Sequence, residues 1–144
     1  QVIILDANLL LYAYDAGSPF HERSRAWLQT LFSGSIPVGI PWQTVGAFLR
    51  ISTHLRLPGR FSSGEALSIV SRWFDQPNVR ALSPAHGHWA LLSQMISEGQ
   101  AQGPLVTDAQ LAALAIEHGG VLHTTDRDFA RFPGLRWKNP LAEA

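Results

Sequence analysis

Short apolar runs and longer stripes at helical spacing alternate along this chain, and the first run sets the frame. Val2-Ile3-Ile4-Leu5 is wholly apolar, is mostly β-branched, and reads as a strand buried on both faces. It stops at Asp6-Ala7-Asn8. Leu9 to Tyr14 is too apolar for a surface loop and reads as a short buried helix, broken by Asp15 to Pro19. Ser18 ahead of Pro19 predicts a cap with proline at the first helical position. Ser24, Trp27, Leu28, Leu31 and Phe32 then recur at helical spacing as far as Gly34.

Ile36 to Ile40 is a second strand, and Pro41 is expected to open the next helix. There Val45, Phe48, Leu49 and Ser52 share a face, while Arg50, His54, Arg56 and Arg60 occupy the opposite side and the tail. Ser62-Ser63-Gly64-Glu65 matches a capping box ahead of the stripe Ala66, Val70, Trp73 and Phe74. Val79 to Leu82 is a third strand, and Ser83-Pro84 predicts a helix start with Trp89, Leu92 and Ile96 behind it. After a loop from Gly99 to Gly103, Thr107-Asp108-Ala109-Gln110 reads as a second capping box with Asp108 at the first helical position. Leu111, Leu114 and Ala115 follow, and Gly119-Gly120 closes that helix. Val121 to Thr124 is a fourth strand, Phe129 to Phe132 one helical turn, and Leu135 to Trp137 a last strand. The five tryptophans are read mostly as core residues on these stripes.

Strands alternating with helices argue for a parallel sheet covered on both faces. At 144 residues the chain is expected to form one α/β domain over 1–144, with no repeat or linker. It holds no cysteine, which excludes disulfides, thiolate zinc sites and thiol nucleophiles and fits a reducing cytoplasm. No apolar run approaches a membrane span. No charged-then-apolar leader precedes the first strand, and the missing initiator methionine suggests a trimmed start. Eleven basic and eleven acidic residues balance, so bulk charge names no nucleic-acid partner.

The candidate chemistry lies in the aspartates. Of six, Asp6 ends the first strand, Asp126 and Asp128 follow the fourth, and Asp108 starts the helix leading into that strand. In a right-handed parallel sheet the carboxyl ends of the strands share one edge, where open α/β sheets bind ligands. Several carboxylates gathered there raise one another's pKa. A hard divalent cation removes that cost, and oxygen-only ligands favour Mg²⁺ or Mn²⁺ over zinc. Such a site supports metal-assisted hydrolysis of phosphate esters. Each acid taken singly also reads as an ordinary helix start or turn; their joint placement makes the case. Thr107 reads as a cap, Thr124 as a sheet residue, and Thr125 as a candidate phosphate contact. Glu117, His86 and His88 read as surface, His118 as a helix-end residue and His123 as a strand residue, with no histidine pair at ligand spacing. Arg50, Arg56 and Arg60 are either phosphate contacts or a solvated face. No G-x-G-x-x-G or Walker loop is present, and a second aspartate after Asp6, as in aspartyl-phosphate phosphatases, is missing.

These residues in this order resemble the PIN-domain ribonucleases, and more narrowly the VapC-type toxins of bacterial toxin–antitoxin modules. The resemblance rests on the strand ending Asp6-Ala7-Asn8-Leu9, on Pro41-Trp42 with Phe48-Leu49-Arg50-Ile51-Ser52-Thr53-His54, on Val106-Thr107-Asp108-Ala109, and on Thr125-Asp126-Arg127-Asp128-Phe129-Ala130-Arg131-Phe132. It covers nearly the whole chain. It implies a three-layer sandwich around a parallel five-stranded sheet, Mg²⁺- or Mn²⁺-dependent RNA cleavage, homodimerisation and inhibition by a cognate antitoxin. By position Asp6, Asp108 and Asp126 match the family's metal site, with Asp128 an additional or alternative member. The family pattern places a further glutamate on the helix after the second strand; here Trp42-Gln43-Thr44-Val45-Gly46-Ala47-Phe48 carries no acid, so Gln43 or Glu117 compensates only by facing the site. Asn8, Arg50 and Thr125 are the expected substrate contacts. The rival expectations are a non-catalytic module of the same fold that binds an antitoxin and RNA without cleavage, and a small phosphatase.

Overall fold

The computed structural model describes residues 1–142, so the last two positions of the expected domain over 1–144 lie outside the described residues. Five strands form one sheet in the order β3-β2-β1-β4-β5. They are β1 (Ile3–Leu5), β2 (Val38–Pro41), β3 (Val79–Leu82), β4 (Val121–His123) and β5 (Trp137–Lys138). All pairings are parallel, with Leu5 opposite His123 and Ile4 opposite both Gly39 and Leu122. The expected parallel five-stranded α/β architecture is therefore present.

Six helices cover it: α1 (Ala7–Ala13), α2 (His21–Ser33), α3 (Trp42–Ser52), α4 (Ser63–Phe74), α5 (His88–Gly99) and α6 (Leu105–Glu117). Because strand side chains alternate between faces, Ile4 packs with α5 and α6 while Leu5 packs with α1 to α4. Both are fully buried, as the apolar first strand requires. The α6 layer is built from alanines, Ala109, Ala112, Ala113 and Ala115, which let the helix lie close to the sheet. The opposite layer is aromatic, with Phe48 and Trp73 edge-on at 4.6 Å. Gly39 is required between β2 and β3, since a Cβ there would stand 2.3 Å from Leu82 Cδ1. Gly119, at φ 63°, ends α6 in the left-handed conformation as the sequence predicts.

Several boundaries differ from the sequence reading. The Ser62–Glu65 capping box forms, but Thr107 caps nothing: α6 begins at Leu105, so Asp108 sits at the end of its first turn rather than at its first position. The residues Leu105-Val106, expected as a lead-in, are already helical because Pro104 supplies the fixed φ of a helix start. Pro41 closes β2 rather than opening α3. Both serine–proline starts are displaced. Ser18 Oγ accepts from the Phe20 backbone, a turn that precedes α2, and α5 begins after Gly87. Trp42 and Trp89, expected in the core, are 55% and 74% exposed.

Candidate metal centre

The parallel register brings the carboxyl ends of β1 and β4 side by side, and each strand delivers an acid immediately beyond its last residues. Asp6 caps α1, its Oδ1 accepting the Ala7 N–H at 2.7 Å. Asp126 caps a short 3₁₀ turn over Arg127–Arg131, its Oδ1 accepting the Asp128 N–H at 2.9 Å. Each is thus a local helix cap and a member of a larger group. The link between them is Thr124, wholly buried, whose hydroxyl donates to Asp6 Oδ2 at 2.7 Å and accepts the Asp126 N–H at 3.1 Å. One hydroxyl fixes both strand-end acids. Read from sequence as a sheet residue, Thr124 instead connects the two loops.

Asp108 arrives from the other side, at the N-terminal end of α6. Carboxylate oxygens of Asp108, Asp126 and Asp128 lie within 4.8 Å of one another. Asp108 accepts no hydrogen bond among the described residues, and its pKa is pushed up to about 6. Burial is the first cause, followed by the charges of Asp126, Asp6 and Asp128, with Arg131 opposing them. Asp6 is also raised, by burial above all, although the Thr124 and Ala7 hydrogen bonds oppose the shift. Asp6 therefore adds charge to the group, and each of its oxygens, accepting one hydrogen bond, keeps a further lone pair.

Asn8 Nδ2 donates to Thr125 Oγ1 at 2.8 Å, tying the first turn of α1 to the β4 loop, while Asn8 Oδ1 is buried without a partner among the described residues. Arg50 is exposed on α3 and makes no side-chain hydrogen bond or ion pair among the described residues. The arginine the structure sets beside the acids is Arg131, whose Nη1 donates to the Gly99 carbonyl at 3.0 Å. Its signal in the sequence is the three-residue spacing from Asp128 on one helical turn. Gln43 does reach this edge: its Nε2 donates to the carbonyl of Thr107, directly before Asp108.

Two residues read as surface are not. The Glu117 side chain is 8% exposed, with Oε1 accepting the Ala85 N–H at 2.8 Å and lying 3.4 Å from His88 Nδ1. Glu117 thereby pins the loop before α5 and does not supply the missing acid; the His88 side chain, 18% exposed, is buried with it. His123 is a buried strand residue stacked on Trp27 at 5.8 Å, and burial followed by the Lys138 charge lowers its pKa to about 4. It is neutral near pH 7.

The donor set is oxygen-only, crowded and under-bonded, and these properties fit a hard divalent cation. A family model described as PIN domain matches residues 3–135. Ribonuclease VapC33 of Mycobacterium tuberculosis is 38% identical over 143 residues, spanning 99% of this chain and 100% of the relative. Ribonuclease VapC37 of the same organism is 38% identical over 140 residues, 96% of this chain and 97% of the relative. Among solved structures, VapBC-1 from nontypeable Haemophilus influenzae superposes with a TM-score of 0.72 at 15% identity, over 99% of this chain and 100% of that one.

Proposed function

The chain belongs to the PIN-domain family, and on that premise we propose that it is a metal-dependent endoribonuclease, the toxin of a toxin–antitoxin module. The observation that carries the proposal is the convergence of the Asp108, Asp126 and Asp128 carboxylates within 4.8 Å at the carboxyl edge of the sheet. Asp6, Asp108 and Asp126 would hold one Mg²⁺ or Mn²⁺, and the closeness of Asp128 to two of them adds it to that set. An ion held there supplies charge neutralisation at an RNA phosphodiester and acidifies water for in-line attack.

The chain's own residues set up that chemistry. Thr124 holds the Asp6 carboxylate and the Asp126 backbone in fixed relation. The positive end of α6 favours the ionised form of Asp108 against its crowded neighbours. Asn8 and Thr125, already joined, position the substrate beside the acids, and Arg50 contacts the RNA backbone further along α3. The protein partners proposed are a cognate antitoxin and a second copy of the chain. A single domain over 1–144 and a cytoplasmic setting belong to the same reading. Among the described residues no helix is long and apolar enough to cross a membrane.

The test is cleavage of RNA by the purified chain with and without Mn²⁺. Metal-stimulated cleavage that disappears in Asp126→Asn, with the fold intact, supports the reading. The lack of an acid on α3 favours a second one, a module that binds RNA and antitoxin without turnover; RNA binding with no metal-stimulated cleavage would select it.

A further inference from the structure

Against α6, with Gln110 two residues beyond Asp108 in its wall, lies a partly open cavity of about 230 Å³ also lined by Pro41, Trp42, Gln43, Leu82 and His88. That is below the roughly 300–1,000 Å³ of sites for drug-sized ligands. It suits one planar ring rather than an extended molecule. We propose that it receives an unpaired base of the RNA strand whose phosphate lies at the carboxylates, with Trp42 as the stacking surface. This inference rests on the ribonuclease reading and adds to it a base-binding position that none of the acids explains.

Trp42 supplies the stacking surface. It is the first residue of α3, fixed in place by Pro41 at the end of β2. One side of its ring packs on Phe74, centroids 5.7 Å apart. Yet the residue is 55% exposed, so much of the largest apolar side chain is left in water. A ring braced by a second aromatic and open beside a cavity is a pre-formed stacking platform.

The polar groups around it match the edge of a base. Gln43 spends its Nε2 on the Thr107 carbonyl, which leaves its Oε1 free to accept. Gln110 makes no side-chain hydrogen bond among the described residues, so its amide offers both donors and an acceptor. His88, also in the wall, turns its buried Nδ1 to Glu117 Oε1 at 3.4 Å and so leaves the base edge to Gln43 and Gln110. These groups line a cavity whose other walls, Leu82, Pro41 and Leu114, are apolar. The combination of a stacking face with a few unspent hydrogen-bonding groups is how single-stranded RNA bases are held once unstacked.

The cavity is also tied to the chemistry. The Gln43–Thr107 bond joins its wall to the residue preceding Asp108, and Gln110 stands two residues after it. A strand crossing the first turns of α6 would thus meet the acids on one side and the platform on the other.

The experiment is equilibrium binding of a short, fluorescently labelled, unstructured RNA in chelator, so that no cleavage occurs. It uses wild type, Trp42→Ala, Trp42→Phe and Gln110→Ala. Trp42→Ala is expected to weaken binding roughly 5- to 100-fold, with Trp42→Phe retaining most of the affinity. Replacing successive nucleotides by abasic ones should give the same loss at one position in wild type, and no further loss there in Trp42→Ala. Unchanged affinity in Trp42→Ala, no RNA binding by wild type, or additive losses at every abasic position would overturn the inference. So would conversion of a dimer to a monomer by Trp42→Ala in size-exclusion chromatography, since a second copy then covers this face. Failure of the ribonuclease reading appears separately, as wild-type protein that binds this RNA and never cleaves it with Mn²⁺.

Discussion

The two ends of α6 carry acids in opposite circumstances. Glu117, in the last turn, accepts a backbone N–H at 2.8 Å, faces His88, and fastens a loop to a helix. Asp108, in the first turn, accepts no hydrogen bond among the described residues and has Asp126, Asp6 and Asp128 for neighbours. An acid that serves the fold finds its donors within the chain. One that lacks them, and is crowded by its own kind, is open to the cation proposed above. Eight residues of one helix separate a structural carboxylate from a proposed functional one.

The largest expected effect falls on activity. Asp126→Asn should reduce metal-stimulated RNA cleavage on the order of 100-fold or more. Glu117→Gln, which keeps an acceptor for Ala85, should cleave like wild type; a matching loss there would erase the contrast between the two ends. On stability the order reverses. Glu117→Ala leaves the Ala85 N–H without its acceptor and should cost about 1–3 kcal/mol, read as a lower midpoint in urea. Asp108→Asn should instead stabilise the metal-free protein.

The sign follows from proton binding. The ordinary carboxyl value is 3.8 and the folded value about 6, so between them the folded chain keeps a proton that the unfolded chain releases. Metal-free stability from this group therefore falls as pH rises through that interval and is flat above it. Asp108→Asn should remove the decline and gain about 1 kcal/mol at pH 7, the half-exposed position limiting it through solvent screening. Urea midpoints at pH 4 and 7 measure it. The smallest effect is that of Arg50→Ala, at an exposed position: RNA affinity should drop a few-fold and the salt slope by roughly one.

How legible the molecule was in its sequence also differs between regions. The strands were readable because a buried parallel strand is a continuous apolar run, as at Val2 to Leu5, and the edge strand keeps apolar ends, Val79 and Leu82, around an exposed Arg80. The acids at strand ends were readable because a parallel sheet assigns every strand end to one edge. Helix starts were less so. Proline and threonine serve both inside and before a first turn, which displaced Asp108 by most of a turn and put Pro41 in a strand. Side-chain partnerships across the fold left no local signal. Nothing near Glu117 announces Ala85, and nothing near Thr124 announces that its hydroxyl joins the Asp126 backbone to Asp6, 118 positions before it. Trp42 looked like a core residue because its stripe is apolar; only the packing shows that one side rests on Phe74 and much of the rest lies open.

The central claim is that these carboxylates form one divalent-cation site, and calorimetric titration of the metal-free chain with Mn²⁺ between pH 5 and 7.5 tests it without any RNA. The account predicts binding that weakens as pH falls below about 6, where protons compete for Asp108, and that is lost in Asp126→Asn. Binding of equal strength in wild type and Asp126→Asn, or none by wild type at pH 7.5, would contradict it.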